Sequence, residues 1–124
     1  MAVLLRTRIL FATLASAALL GACGDDGDGS PTIRIDGVDI DYDRDVYEAA
    51  PGQATLEFRN RGSLAHNIVF RDVAGAPAAS EEDDFLAAGE NAAFEVDLVA
   101  GEYEFYCSVP GHEAAGMVGT LTVG

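Results

Sequence analysis

Near its C-terminal end the chain runs YCSVPGHEAAGMVGTLTV, which sets Cys107, His112 and Met117 at five-residue intervals. The whole chain holds only two histidines, two cysteines and two methionines in 124 residues, and one methionine is the initiator. The other histidine, His66, stands far upstream in LAHNIVF. A thiolate is a nucleophile or a soft metal ligand, an imidazole is a base or a borderline ligand, and a thioether packs or binds soft metal.

Several chemistries draw on such groups. A cysteine nucleophile with a histidine base performs acyl transfer, but that use leaves Met117 without a role and shows no oxyanion hole. Structural zinc sites take thiolates with or without imidazoles and catalytic ones keep a water, so neither wants a thioether. A buried, inert thiol beside unrelated histidines is the plain structural alternative. Copper accounts for all four residues. Thiolate and thioether suit Cu(I), imidazoles suit both oxidation states, and two imidazoles with one thiolate and a long axial methionine form the blue-copper set. A centre midway between the geometries of two oxidation states rearranges little when an electron arrives. Four protein ligands leave no position for substrate, which points to a carrier and not an enzyme. A binuclear copper centre would need a second cysteine in the loop, and Cys107 stands there alone.

Residues so far apart in sequence need a scaffold. From Thr32 onward, short alternating runs separated by Gly, Pro, Asn and Asp dominate, the period of half-buried strands. Val38, Ile40 and Tyr42 alternate with Asp39, Asp41 and Asp43; Leu56 and Phe58 with Glu57 and Arg59; Phe94, Val96 and Leu98 with Glu95 and Asp97. Tyr103, Phe105 and Cys107 share one face of a strand, as do Met117, Gly119, Leu121 and Val123, and His66, Ile68 and Phe70. Seven or eight such strands predict an all-β, antiparallel Greek-key β-sandwich with the ligands at one end. The stretch 74–89 is the exception, a long acidic connection with a helical turn expected around Glu81 to Leu86.

The aspartate row Asp39 to Asp45 superficially matches a calcium loop. An EF-hand needs glycine at its sixth position and glutamate at its twelfth; counting from Asp41 these are Val46 and Gly52, and from Asp39 they are Arg44 and Ala50. The row therefore reads as the wet face of a strand, and Glu81 to Asp84 as a solvated loop.

LAHNIVF and YCSVPGHEAAGMVGTLTV resemble the two ligand segments of the cupredoxins, the blue (type 1) copper family of plastocyanin and azurin. The four residues between Cys107 and His112 make the ligand loop more similar to those of auracyanin and rusticyanin. The resemblance implies one copper ion held by His66, Cys107, His112 and Met117. It further implies that Asn67 and Ser108 join the two ligand segments by a hydrogen bond. Finally, it implies an electron port at His112, rimmed by Leu64, Ala65, Pro110, Ala114 and Ala115, with Glu113 as the charged exception. The function implied is one-electron transfer, by a monomer, with redox partner proteins such as a cytochrome, an oxidase or another membrane electron-transfer complex. The alternative is a copper-binding module for storage or delivery of the metal to an exported cuproenzyme.

Residues 1–22 carry Arg6 and Arg8, then a 12-residue apolar run, ILFATLASAALL, then small residues. This is the pattern of an export signal, since a membrane-spanning helix needs ~20 apolar residues. Leu20-Gly21-Ala22-Cys23 resembles a bacterial lipobox, which implies cleavage before Cys23 and its lipidation. Residues 23–31 then form a lipidated cysteine with a flexible acidic tether, and residues 32–124 the folded domain. The expected location is the outer face of a bacterial cytoplasmic membrane, in the periplasm or outside the cell. With Cys23 carrying lipid, Cys107 has no disulfide partner in an oxidising compartment. The formal net charge is −14, and all 21 acidic residues follow residue 22, with no lysine anywhere. Nucleic acid is excluded as a partner by such a surface.

Overall fold

The computed structural model describes residues 29–124. The expected export signal at 1–22, the lipidation site Cys23 and the first part of the tether lie outside the described residues.

Eight strands follow one another: β1 (Thr32–Val38), β2 (Asp41–Tyr42), β3 (Val46–Ala49), β4 (Gly52–Asn60), β5 (Val69–Phe70), β6 (Asn91–Leu98), β7 (Gly101–Tyr106) and β8 (Val118–Val123). They form two four-stranded sheets, ordered β2-β1-β4-β6 and β3-β8-β7-β5. Alternation decides what lies between them. Ile33 and Ile35 of β1, Leu56 and Phe58 of β4, Val96 and Leu98 of β6, Tyr103 and Phe105 of β7, and Leu121 and Val123 of β8 are all buried. Phe105 sits at the centre, with ring centroids 4.9 Å from Tyr42, 5.8 Å from Tyr47 and 5.3 Å from Phe70. Its space is made by Gly119, directly opposite on β8, where a Cβ would fall 2.5 Å from the ring.

The sheets are mixed, which corrects the expectation of purely antiparallel pairing. β1 runs parallel to β4, in register from Thr32↔Thr55 to Gly37↔Asn60, and β3 runs parallel to β8. The chain leaves the first sheet after β2, contributes β3 to the second, and returns to run β4 in the direction of β1. Parallel strands usually read as continuous apolar runs because both faces are covered. Here each sheet covers one face only, so β1 and β4 keep the alternation normally associated with antiparallel pairing.

Two further expectations fail. The row Val38, Ile40, Tyr42 is not one strand face, because β1 and β2 form a hairpin whose tip is Asp39 and Ile40. Ile40 is exposed and has φ of 58°, a left-handed conformation that β-branched residues adopt only at a cost. The acidic connection 74–89 contains no helix. Its turn at Glu81 to Asp84 is a single hydrogen bond, Asp84 N–H to the Glu81 carbonyl. Beyond it Leu86 pairs with His66, accepting from His66 N–H at 3.1 Å and donating to its carbonyl at 2.9 Å. Backbone pairing with a buried histidine outweighs weak local helical preference.

Candidate metal centre

One end of the sandwich gathers the chemistry. Cys107 follows the last residue of β7 and Met117 precedes the first of β8, and the Cys107 N–H donates to the Met117 carbonyl at 3.1 Å. Between them the loop doubles back through turns in which Gly111 and Gly116 take φ of 87° and 108°, conformations that glycine adopts freely. The His112 N–H donates to the Val109 carbonyl at 3.0 Å, and the Met117 N–H to the His112 carbonyl at 3.0 Å. Pro110 and Gly111 therefore turn the chain so that His112 faces back over Cys107.

The Cys107 Sγ lies 3.9 Å from His66 Nδ1 and 3.6 Å from His112 Nδ1. The ligand atoms of these three residues all fall within 4.8 Å of one another. A metal ion bonded to sulfur at about 2.3 Å and to nitrogen at about 2.05 Å, with angles between tetrahedral and trigonal, sets S···N separations of roughly 3.6–3.8 Å. The shorter of the two observed separations falls in that range and the longer just beyond it. Met117, whose carbonyl accepts from the Cys107 N–H, is fully buried in the core, as are His66 and Cys107, whereas His112 is half-exposed. Burial pushes the pKa of His66 below its usual value, against the opposing pull of Asp39. The imidazole is therefore neutral at pH 7, the form that ligates.

Asn67 and Ser108 hold the two ligand segments together. The Ser108 N–H donates to Asn67 Oδ1 at 2.9 Å, and Asn67 Nδ2 donates to Ser108 Oγ at 2.7 Å. Asn67 Nδ2 also donates to the Glu81 carbonyl at 3.1 Å, Tyr42 Oη donates to the Asn67 carbonyl at 2.9 Å, and the Ser108 hydroxyl donates to the Glu82 carbonyl. The acidic connection is thus more than a solvated loop. The acidic residues Glu81 to Asp84 are exposed while the Glu81 and Glu82 carbonyls anchor the two residues beside the ligands, and Ser80, Ala76, Ala79 and Leu86 of the same connection turn inward.

Of the residues expected to rim His112, Leu64 is 45% exposed, and Ala65, Pro110, Ala114 and Ala115 are exposed as well. Glu113 is paired with Arg71, which also binds Glu104 at 2.9 Å and lies over the Tyr106 ring, 4.1 Å from its centroid. The charge next to His112 in the chain is thereby partly neutralised.

Two contributors were not visible in the sequence. Asn60, buried at the end of β4, donates to the carbonyls of Leu64 and Leu86 at 2.8 Å each and accepts from Gly62 N–H at 3.0 Å, shaping the loop that leads into His66. Asp39, at the hairpin tip, accepts from Ser63 N–H at 2.7 Å, Leu64 N–H at 3.2 Å and the Ser63 hydroxyl at 2.6 Å. Its alternation with apolar residues made it look like a solvated strand position. An isoleucine at a left-handed turn position gives no local turn signal.

The sequence profile described as "Copper binding proteins, plastocyanin/azurin family" matches residues 31–124. Plastocyanin of Vicia faba is 39% identical over 84 residues, which cover 62% of this chain and 81% of that protein. Among solved structures, reduced auracyanin from the photosynthetic bacterium Roseiflexus castenholzii superposes with a TM-score of 0.64 at 26% identity, covering 77% of this chain and 98% of that one. Oxidised plastocyanin of Dryopteris crassirhizoma gives 0.58 at 30% identity, covering 74% and 100%. With the profile spanning the whole sandwich and both ligand segments, the chain belongs to the plastocyanin/azurin family of copper-binding proteins, the cupredoxins.

Proposed function

We propose that this cupredoxin is a one-electron carrier whose single type 1 copper ion would be held by His66, Cys107, His112 and Met117. The observation that carries the reading is the Sγ–Nδ1–Nδ1 triangle at the end of the sandwich, of a size that suits one metal ion. When bound, copper supplies a Cu(I)/Cu(II) couple. The chain's own residues do the rest. Cys107, His66 and Met117 are buried by the strands around them, so the donor positions are preset by the fold and change little between oxidation states. Asn67 and Ser108 lock the His66 and Cys107 segments at a fixed separation; such partners orient ligands and tune the metal.

His112 is the edge through which electrons pass. Leu64, Ala65, Pro110, Ala114 and Ala115 form a modest, mostly small and apolar rim that lets a partner approach the imidazole and leave quickly. The partner is a redox protein such as a cytochrome, an oxidase or another membrane electron-transfer complex, met by a monomer. The location is extracytoplasmic, with the domain tethered through a lipid on Cys23. Full burial of three of the four donors favours a carrier over a module that surrenders its metal.

The test is to add Cu(II) and record the visible spectrum and EPR. An intense thiolate-to-copper absorption with a narrow hyperfine splitting is expected, and both vanish in Cys107→Ser. Wild type lacking both signals, or the variant keeping both, refutes the assignment. Fast electron self-exchange with slowly released copper is the expected behaviour of a carrier, and slow exchange with readily released copper would mean delivery instead.

A further inference from the structure

His66 turns Nδ1 toward Cys107 and its other ring nitrogen, Nε2, toward the hairpin between β1 and β2. That Nε2 is buried and, among the described residues, is the one buried side-chain nitrogen or oxygen with no hydrogen-bond partner. Facing it is the carboxylate of Asp39, whose Oδ1 lies 3.5 Å away. The separation is a few tenths of an ångström beyond a hydrogen bond, and a small inward movement of the hairpin tip closes it.

The surroundings keep the approach open. A Cβ at Gly62 would fall 2.8 Å from His66 Nε2 and 2.4 Å from Asp39 Oδ1, so any larger residue would wedge the two groups apart. The carboxylate is pinned from the other side by Ser63 and Leu64, and it reaches this place because Ile40 tolerates a left-handed φ. A strained hairpin tip, a glycine gap and an orphaned imidazole nitrogen converge on a single contact.

We infer that Asp39 is the positioning residue of His66: its carboxylate holds the imidazole proton on Nε2, leaves Nδ1 free to face Cys107, and biases the bound metal toward its more positive oxidation state. The physical reasons are simple. A neutral imidazole has one proton to place, and an acceptor beside one nitrogen decides the tautomer. A negative charge near a ligand stabilises Cu(II) over Cu(I) and raises the ligand's basicity. This rests on the copper assignment above.

Asp39→Asn separates the contact from a mere loop cap, because the amide oxygen still accepts from Ser63 and Leu64 while the charge is gone. The full chain, copper-loaded, is titrated for reduction potential beside Asp41→Asn, which removes an equal charge from the same hairpin. The potential is expected to rise in Asp39→Asn and to move far less in Asp41→Asn. Equal shifts in the two variants, or no shift in either, overturn the inference. A second measurement needs no variant: long-range 15N–1H spectra of the metal-free wild type should show the His66 proton on Nε2. Finding it on Nδ1 overturns the inference as well. Wild type that forms no blue centre fails the copper assignment instead, and the metal-free spectrum still reads the tautomer.

Discussion

Asn67 and Ser108, 41 residues apart, exchange hydrogen bonds in both directions, Ser108 N–H to Asn67 Oδ1 at 2.9 Å and Asn67 Nδ2 to Ser108 Oγ at 2.7 Å. Each follows a candidate ligand directly, so the pair fixes the distance between His66 and Cys107 without touching a metal. Asn67 is fully buried, which makes its replacement costly.

In Asn67→Ala the Ser108 N–H and the Glu81 carbonyl lose their partner. A buried polar group left unpaired costs about 1–3 kcal/mol, and loss of a residue that orients ligands lowers metal affinity about 10- to 100-fold. Urea unfolding of the metal-free protein and a copper competition titration measure the two effects. Unchanged copper affinity would confine Asn67 to a structural role.

Gly119→Ala tests the packing behind the site. The new methyl group meets Phe105 at 2.5 Å and 2.6 Å, and Phe105 is hemmed in by Tyr42, Tyr47 and Phe70. Overpacking of this kind costs about 1–3 kcal/mol. Because Gly119 shares the inward row of Met117, the Met117 side of the site should shift with it, which a change in the absorption of the copper-loaded protein would read. An unchanged unfolding midpoint would show that the ring has room to move.

Ile40→Asn should stabilise the fold. Isoleucine at φ of 58° bears a left-handed penalty of roughly 1 kcal/mol or more, which asparagine largely avoids. Ile40 is 39% exposed, so little apolar burial is lost in exchange. Thermal melts of the metal-free protein would register a higher midpoint, and a lower one would mean that the side chain packs more than its exposure implies.

Acid should reveal what Asp39 contributes. Hydrogen bonds, foremost from the Ser63 hydroxyl and then from Ser63 N–H, hold its pKa at about 2 against an ordinary 3.8. The unfolded chain therefore binds its proton first as pH falls. The stabilisation is complete above the ordinary value and drains away as pH drops toward the folded one. Asp39→Asn lacks this loss, so its stability curve is flatter from 3.8 down to about 2, and the gap to wild type narrows there. Parallel curves for the two proteins across that window would contradict the assignment.

Much of the site was legible because its residue types are scarce and chemically distinctive. His66, Cys107, His112 and Met117 stand out in a chain so poor in histidine, cysteine and methionine, and metal chemistry narrows four such donors to few uses. The core rows were legible for a different reason. Strand geometry forces alternate residues to opposite faces, so Tyr103, Phe105 and Cys107 declared one buried row, and Met117, Gly119, Leu121 and Val123 another.

Alternation carries no information about the direction of the neighbouring strand, so the parallel pairs β1–β4 and β3–β8 could be seen only once the chain was folded. The bridge from Leu86 to His66 is likewise a long-range backbone event that local propensity does not encode. Asp39 is the clearest case. Side-chain type and local pattern made it a wet strand residue, and it came to face a buried imidazole through a hairpin turn that its neighbour Ile40 disfavours. Donor chemistry and the inward rows follow from residue type and a period of two, and both can be read along the chain without a fold. Which distant backbone segments and charges surround the donors depends on closing the sandwich, because there burial and long-range pairing override local preference.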